Sequence, residues 1–329
     1  MTYQAEIFDR LQYLYQITGF NDHQVHCIIR FSSKVNAVIM NKAVTELIRT
    51  VPMLSRVYRD YEGKSYWENT DTAGKDAFIV VYTEEDFERF TVYNKTDEKS
   101  GPQIKVCLLQ SEKDALSVIL NHMVTDGAGL KQCVYLLSKL YSHILEDPEY
   151  KTDYIIDGDR SFKNILSRIP LRDKLKILIL QNKENNQSAE EAFPMSSEDS
   201  IAPFLLTQEI SQDRFHRIHN YCKEQGATVN DFILTAYFRV LSKMLKSKER
   251  VLSIPIMIDM RRYLSEKSIY SLANLSSTVI IRTAVLPGES FQQTLSKVSQ
   301  ETRLKKEHFL GLNTFLKLDL LNKILGKSF

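Results

Sequence analysis

Apolar residues along this chain repeat with two periods, and stretches of one period alternate with stretches of the other. In NAVIMNKAVTELIRT (36–50) and on to Val51, the positions Met40, Val44, Leu47 and Val51 fall along one side of a helix. GLKQCVYLLSKLYSHILED (129–147) has the same period and stops near Asp147-Pro148. HQVHCIIRF (23–31), QIKVCLLQ (103–110) and ALSVIL (115–120) are short β-branched and apolar runs that predict strands, and the polar SEKD between the last two predicts that they pair as neighbours. SRVYRDYEGKSYWE (55–68) predicts a hairpin turning at Glu62-Gly63. The pattern lapses from about residue 150 to 200, where QNKENNQSAEEAFPMSSEDS (181–200) is strongly polar, and then resumes. FLLTQEI (204–210), VLSIPIMI (251–258) and SSTVIIRT (276–283) predict strands. SQDRFHRIHNYCKEQG (211–226), TVNDFILTAYFRVLSKML (228–245) and ESFQQTLSKVSQETRLKKEH (289–308) predict helices, the first opened by a serine cap and closed by Gly226. The expectation is an α/β protein of two lobes, residues 1–150 and 201–329, joined by a crossover over 151–200. Each lobe has a mixed, largely antiparallel sheet flanked by helices, with a cleft or tunnel between them.

Composition narrows the classes of function. Forty-three basic against 41 acidic residues leave a net charge of +2, which gives no general attraction to nucleic acid. The four cysteines are dispersed, with no CxxC pair and no metal-like spacing, as expected of reduced thiols in the cytoplasm. The acidic start MTYQAEIFDR lacks the basic and apolar parts of a secretory signal, and no apolar run reaches the length of a membrane helix.

The chemistry concentrates in NHMVTDGAG (121–129), at the junction between a predicted strand and a predicted helix. A histidine titrates near neutrality and can take a proton from a hydroxyl, thiol or amine if its ring is fixed and one face is open. A strand end fixes His122, while Gly127 and Gly129 allow backbone and substrate to approach closely. Asp126 is placed to cap the following helix or to pair with a distant arginine. A DG pair at such a junction is also ordinary turn chemistry.

NHMVTDGAG resembles the HHxxxDG signature of the coenzyme A dependent acyltransferase superfamily, which includes chloramphenicol acetyltransferase, condensation domains, wax ester synthases and alcohol acetyltransferases. VPMLSRVY, GPQIKVCLL, TVNDFILTAYFRVL, IPIMIDMRRYL and NLSSTVIIRT follow in the family's order, so the resemblance covers nearly the whole chain. It implies the chloramphenicol acetyltransferase-like fold with His122, the second histidine of the signature, as general base. Asn121 stands where the first histidine would be and, with Asp126 and Gly127, supports the loop. Asp126 is implied to pair with Arg261, or failing that Arg262, and Asn274 to orient a substrate. The implied reaction is direct transfer of an acyl group from a thioester to an alcohol or amine in one ternary complex. No cofactor or metal is permanently bound, and acyl-coenzyme A is preferred to a carrier-bound donor. Partners would be a small or lipid-like acceptor and a carrier protein. Relatives run on to a further segment with a DFGWG-like motif, and this chain ends at LNKILGKSF. A part of a longer protein is the expectation. The rival expectation is a non-catalytic relative that docks a carrier or partner enzyme.

Other histidines carry less. His23 and His26 are three apart on a strand and face opposite sides, while His216 and His219 can meet on a helix but have no third ligand in view. His143 and His308 stand alone. RSFKNILSRIPLRDKLKILIL (160–180) is basic and partly amphipathic, suited to a lipid surface or to phosphate, although a plain solvated helix is the simpler expectation.

Overall fold

A computed structural model describes residues 2–19, 22–61, 64–70, 76–184, 203–245, 250–264, 272–307 and 309–324 of the 329. The first half runs β1 (Thr2–Gln4), α1 (Ile7–Ile17), β2 (Gln24–Arg30), α2 (Ala37–Thr50), β3 (Val57–Tyr61), β4 (Lys64–Glu68), β5 (Phe78–Val81), α3 (Glu84–Tyr93), β6 (Ile104–Leu109), β7 (Ala115–Asn121) and α4 (Gly127–Glu146). Four strands form a sheet in the order β2-β7-β6-β5, antiparallel except for β5 with β6. The neighbouring runs 103–110 and 115–120 do pair, as do β3 and β4, although the turn at Glu62-Gly63 lies outside the described residues. Every residue of β7 is buried. Its apolar run does not alternate because both faces are covered: Leu116, Val118 and Leu120 meet α2 and α4, while Ala115 and Ile119 meet Phe87 and Phe90 of α3. Leu130, Cys133, Leu137, Leu140 and Ile144 give α4 one buried stripe. Each of its leucines contributes roughly 1.5–3 kcal/mol on full burial, so the helix behind the motif is firmly seated.

The remainder comprises α5 (Lys163–Leu166), α6 (Leu171–Glu184), α7 (Gln212–Glu224), α8 (Val229–Met244), β8 (Val251–Asp259), β9 (Ser276–Ala284), α9 (Phe291–Glu307) and α10 (Leu312–Ile324). β8 and β9 form an antiparallel ribbon. Leu252, Val279 and Ile281 pack on Leu234 and Phe238 of α8 and Val298 of α9, while Met257 and Ile280 face outward. A third core lies at the seam. Phe8 of α1, Phe162 of the crossover and Phe315 of α10 stack with ring centroids 4.8–6.1 Å apart, and Met260, Ala273 and Leu275 join them. No helix of the described residues is long and apolar enough to cross a membrane.

Two expectations differ from what is observed. FLLTQEI is not a strand: Phe204 and Leu206 are 72% and 84% exposed, and the segment pairs with no described strand. Strand propensity is realised only on a partner's edge, and this run lacks one among the described residues. The crossover is also more regular than its polar composition suggests, because α5 and α6 fall within it and Ile165, Leu166, Ile169 and Ile177 are buried at the seam. Residues 185–200 lie outside the described residues.

Candidate functional site

β7 delivers His122 to the seam. Asn121 ends the strand, and the His122 amide donates 2.7 Å to the carbonyl of His23, the residue just before β2. The imidazole is half-buried. Its Nδ1 lies 2.7 Å from the Thr125 carbonyl oxygen. A carbonyl only accepts, so Nδ1 carries the proton, and in the neutral ring Nε2 is the bare, basic nitrogen. Among the described residues none hydrogen-bonds to Nε2. The Asn274 amide Nδ2 is 3.4 Å from Nδ1, but two donors do not bond; it donates instead to the His122 carbonyl at 3.2 Å. Asn274 is itself held by Ser276, whose hydroxyl donates to Oδ1 at 2.7 Å.

Asn121 is fully buried and satisfied on both sides. Its Nδ2 donates 2.9 Å to Gln103 Oε1, and its Oδ1 accepts from the Met123 amide at 2.9 Å. One donor and one acceptor are also what a single neutral histidine tautomer offers, so asparagine fills the position without leaving an orphan.

Asp126 ties the loop to the second half of the chain. Oδ1 accepts from the Gly129 amide at 2.9 Å and caps α4, while Oδ2 accepts from Arg261 Nη1 at 2.8 Å and from the Leu275 amide at 2.7 Å. Arg262 points elsewhere, over the Tyr263 ring. Gly127 has open space around a hypothetical Cβ, whereas at Gly129 that carbon would collide with Thr125 Oγ1 and press on Leu272 and Arg261, 3.3 and 3.5 Å away. The glycine that the close approach requires is therefore Gly129. Gly129→Ala is expected to cost about 1–3 kcal/mol in a urea titration, through overpacking against buried Thr125. Gly127→Ala should stay within about 0.5 kcal/mol of the parent. Equal costs at the two positions would refute the distinction.

Arg160, the first residue of the basic stretch 160–180, has a role that its local sequence does not show. It grips buried Asp9 of α1 through two bonds of 2.7 and 2.8 Å, and donates to the carbonyls of Met123 at 3.1 Å and Leu272 at 2.8 Å. Trp67 Nε1 donates to the same Asp9 carboxylate at 2.8 Å. One guanidinium thus joins the first helix, the loop beside His122 and the segment leading to Asn274. The planar five-donor fork of arginine suits that task, and lysine could not reproduce it.

His23 is 1% exposed and takes φ +35°, an uncommon backbone for a residue with a side chain. Burial lowers its pKa to about 4; His122 and Lys95 push the same way and Asp22 opposes. At neutral pH the ring is uncharged. Its 3.7 Å contact with Glu98, whose carboxyl is pushed up by burial, is therefore not an ion pair. The unfolded chain binds this proton near pH 6.5 and the folded one only near 4, so the contribution to stability is complete above pH 6.5 and is lost as pH falls toward 4. The shift corresponds to about 3 kcal/mol. Glu6, pushed up to about 7 by burial and Asp9, titrates in the opposite sense over an overlapping window. The informative measurement is thus the difference between parent and His23→Gln in urea midpoints at pH 7 and pH 4.5. The variant should lose less stability on acidification by about 2–3 kcal/mol; parallel losses would remove His23 from the acid response.

Elsewhere the chemistry is sparse. A cavity of about 310 Å³ between β9 and α10 is lined by Arg282, Lys305 and Lys317, and one of about 430 Å³ by Arg214, Arg217 and Phe232. Neither is lined by His122. Among the described residues no three histidine, cysteine or acidic side chains gather into a metal-like group. His216 contacts Gln212, His219 stacks on Phe215 and His143 stacks on Tyr150, while His308 lies outside the described residues. All four cysteines are free thiols, and burial pushes Cys107 and Cys133 up to about 12.

No family model matches the chain. No curated protein matches it in sequence either. Solved structures do match. The first condensation domain of the calcium-dependent antibiotic synthetase, in complex with a substrate analogue, shares 15% identity over 99% of this chain and 79% of its own, with a TM-score of 0.72. The epimerization domain from the third module of tyrocidine synthetase B shares 14% over 94% and 73%, with a TM-score of 0.71. Polyketide synthase associated protein 5 from Mycobacterium tuberculosis shares 12% over 94% and 75%, with a TM-score of 0.67. The chain therefore has the fold of these condensation and epimerization domains.

Proposed function

We propose that this protein transfers an acyl group from a thioester to an alcohol or amine, with His122 as general base. Nε2 takes the proton from the acceptor as its oxygen or nitrogen attacks the thioester carbonyl. The tetrahedral intermediate then collapses, the carbon–sulfur bond breaks, and the same proton passes to the leaving thiolate. The observation that carries this reading is the Nδ1–H donated to the Thr125 carbonyl, which leaves Nε2 basic at the seam. Similarity to condensation domains of synthetases supports a thioester donor. Coenzyme A is the preferred handle and a carrier-bound arm the alternative, with no resident cofactor and with a cytoplasmic setting.

A second reading, a non-catalytic module that docks a carrier or partner enzyme, is favoured by Asn121 standing where the signature's first histidine would be. The deciding experiment follows thiol release from acyl-coenzyme A donors of graded length, and from an acyl carrier protein, with a panel of alcohols and amines. Acceptor-dependent release supports transfer. No acceptor-dependent release from either donor class overturns it in favour of docking.

A further inference from the structure

Helix α6 carries a broad apolar arc, and only one end of it is covered. Ile177 is buried and Leu178 packs beside it in the seam core. At its other end Leu171, Leu175 and Ile179 are 72%, 53% and 63% exposed. At about 100° per residue these three form one stripe roughly 80° wide, continuous with Leu178 on the border toward Lys174 and edged by Arg172 and Lys176 on the other. Lys163 and Arg168, both exposed, bring the cations between residues 163 and 176 to five, against a single acid, Asp173. Among the described residues none of the five forms an ion pair.

A solvated helix does not set three large aliphatic side chains in a row and leave them wet. The stripe is convex, purely aliphatic and without a polar group to give direction, so it fits a fluid hydrocarbon boundary better than a shaped protein groove. The bordering lysine and arginine stems can run alongside hydrocarbon while their charges stay level with phosphate headgroups. We propose that α6 lies in the interface of an anionic phospholipid bilayer, with Leu171, Leu175 and Ile179 inserted and the flanking cations on the headgroups. The proposal stands apart from the acyl-transfer reading.

Flotation of the full chain with vesicles tests it, comparing phosphatidylcholine alone with an equal mixture of phosphatidylcholine and phosphatidylserine. Binding is expected to the mixed vesicles and to fall with added salt. Lys174→Gln and Lys176→Gln should each weaken it roughly fivefold, and Leu175→Gln with Ile179→Gln at least tenfold. Leu175, Lys176 and Ile179 are exposed and Lys174 is half-buried, so an unchanged melting temperature certifies the fold of each variant. No binding, equal binding to both vesicle types, or variants that bind like the parent would overturn the proposal. Failure to bind vesicles together with α6-dependent capture by soluble polyglutamate would overturn it in favour of an acidic protein surface.

Discussion

Replacing His122 by alanine is expected to lower acceptor-dependent thiol release by about 10²–10⁴-fold, the usual contribution of a positioned general base. The variant also removes the Nδ1 bond to Thr125, so loop disorder could mimic the loss. His122→Gln separates the two causes. A glutamine amide can still donate toward the Thr125 carbonyl but has no nitrogen that accepts a proton near neutral pH. Both variants should therefore lose kcat to a similar extent while KM for the donor changes little, because the interaction removed belongs to the transition state. A glutamine variant within threefold of the parent would end the role of His122 as base and leave it a loop support.

The parts of the fold legible in the sequence are those fixed by local period. α2 and α4 are visible because each buries one stripe, and β6 and β7 because a short polar turn joins two apolar runs. α3 was equally accessible. Thr83 followed by Glu84, Glu85 and Asp86 is a cap with acids in the first turn, and the Asp86 amide does donate to Thr83 Oγ1 at 3.1 Å. What remained hidden depends on partners far along the chain. Asp9 and Arg160 look like solvated charges in the sequence, yet they meet across 151 positions. Nothing local to His23 shows that its carbonyl receives the His122 amide. Both glycines of the motif look alike in the sequence, whereas the steric demand falls on Gly129, set first by the Thr125 hydroxyl and then by Leu272 and Arg261 arriving from the other half.

The link most exposed to mutation is the Asp126 carboxylate. It is 3% exposed and receives three donors, two of them from residues 135 and 149 positions away. Asp126→Ala takes one carboxylate from a largely buried guanidinium, which keeps Asp259 at 3.2 Å and the Ala273 carbonyl at 2.8 Å, and it strands the Leu275 amide, so it is expected to cost about 2–4 kcal/mol. Arg261→Met removes the cation but leaves the carboxylate with two backbone donors at 2.9 and 2.7 Å. It should cost less than Asp126→Ala, since hydrogen bonds to a charged group retain roughly 1.5–3 kcal/mol each. The double variant should fall short of the sum by about 0.5–3 kcal/mol, the range for groups that share one network. Urea titrations of the four proteins measure this directly. A strictly additive cycle, or an Asp126→Ala cost below about 1 kcal/mol, would mean that the seam is held without the pair, by the Phe8, Phe162 and Phe315 packing and the Arg160 bonds. The loop would then owe its position to Arg160 and Asn274 and not to the pair.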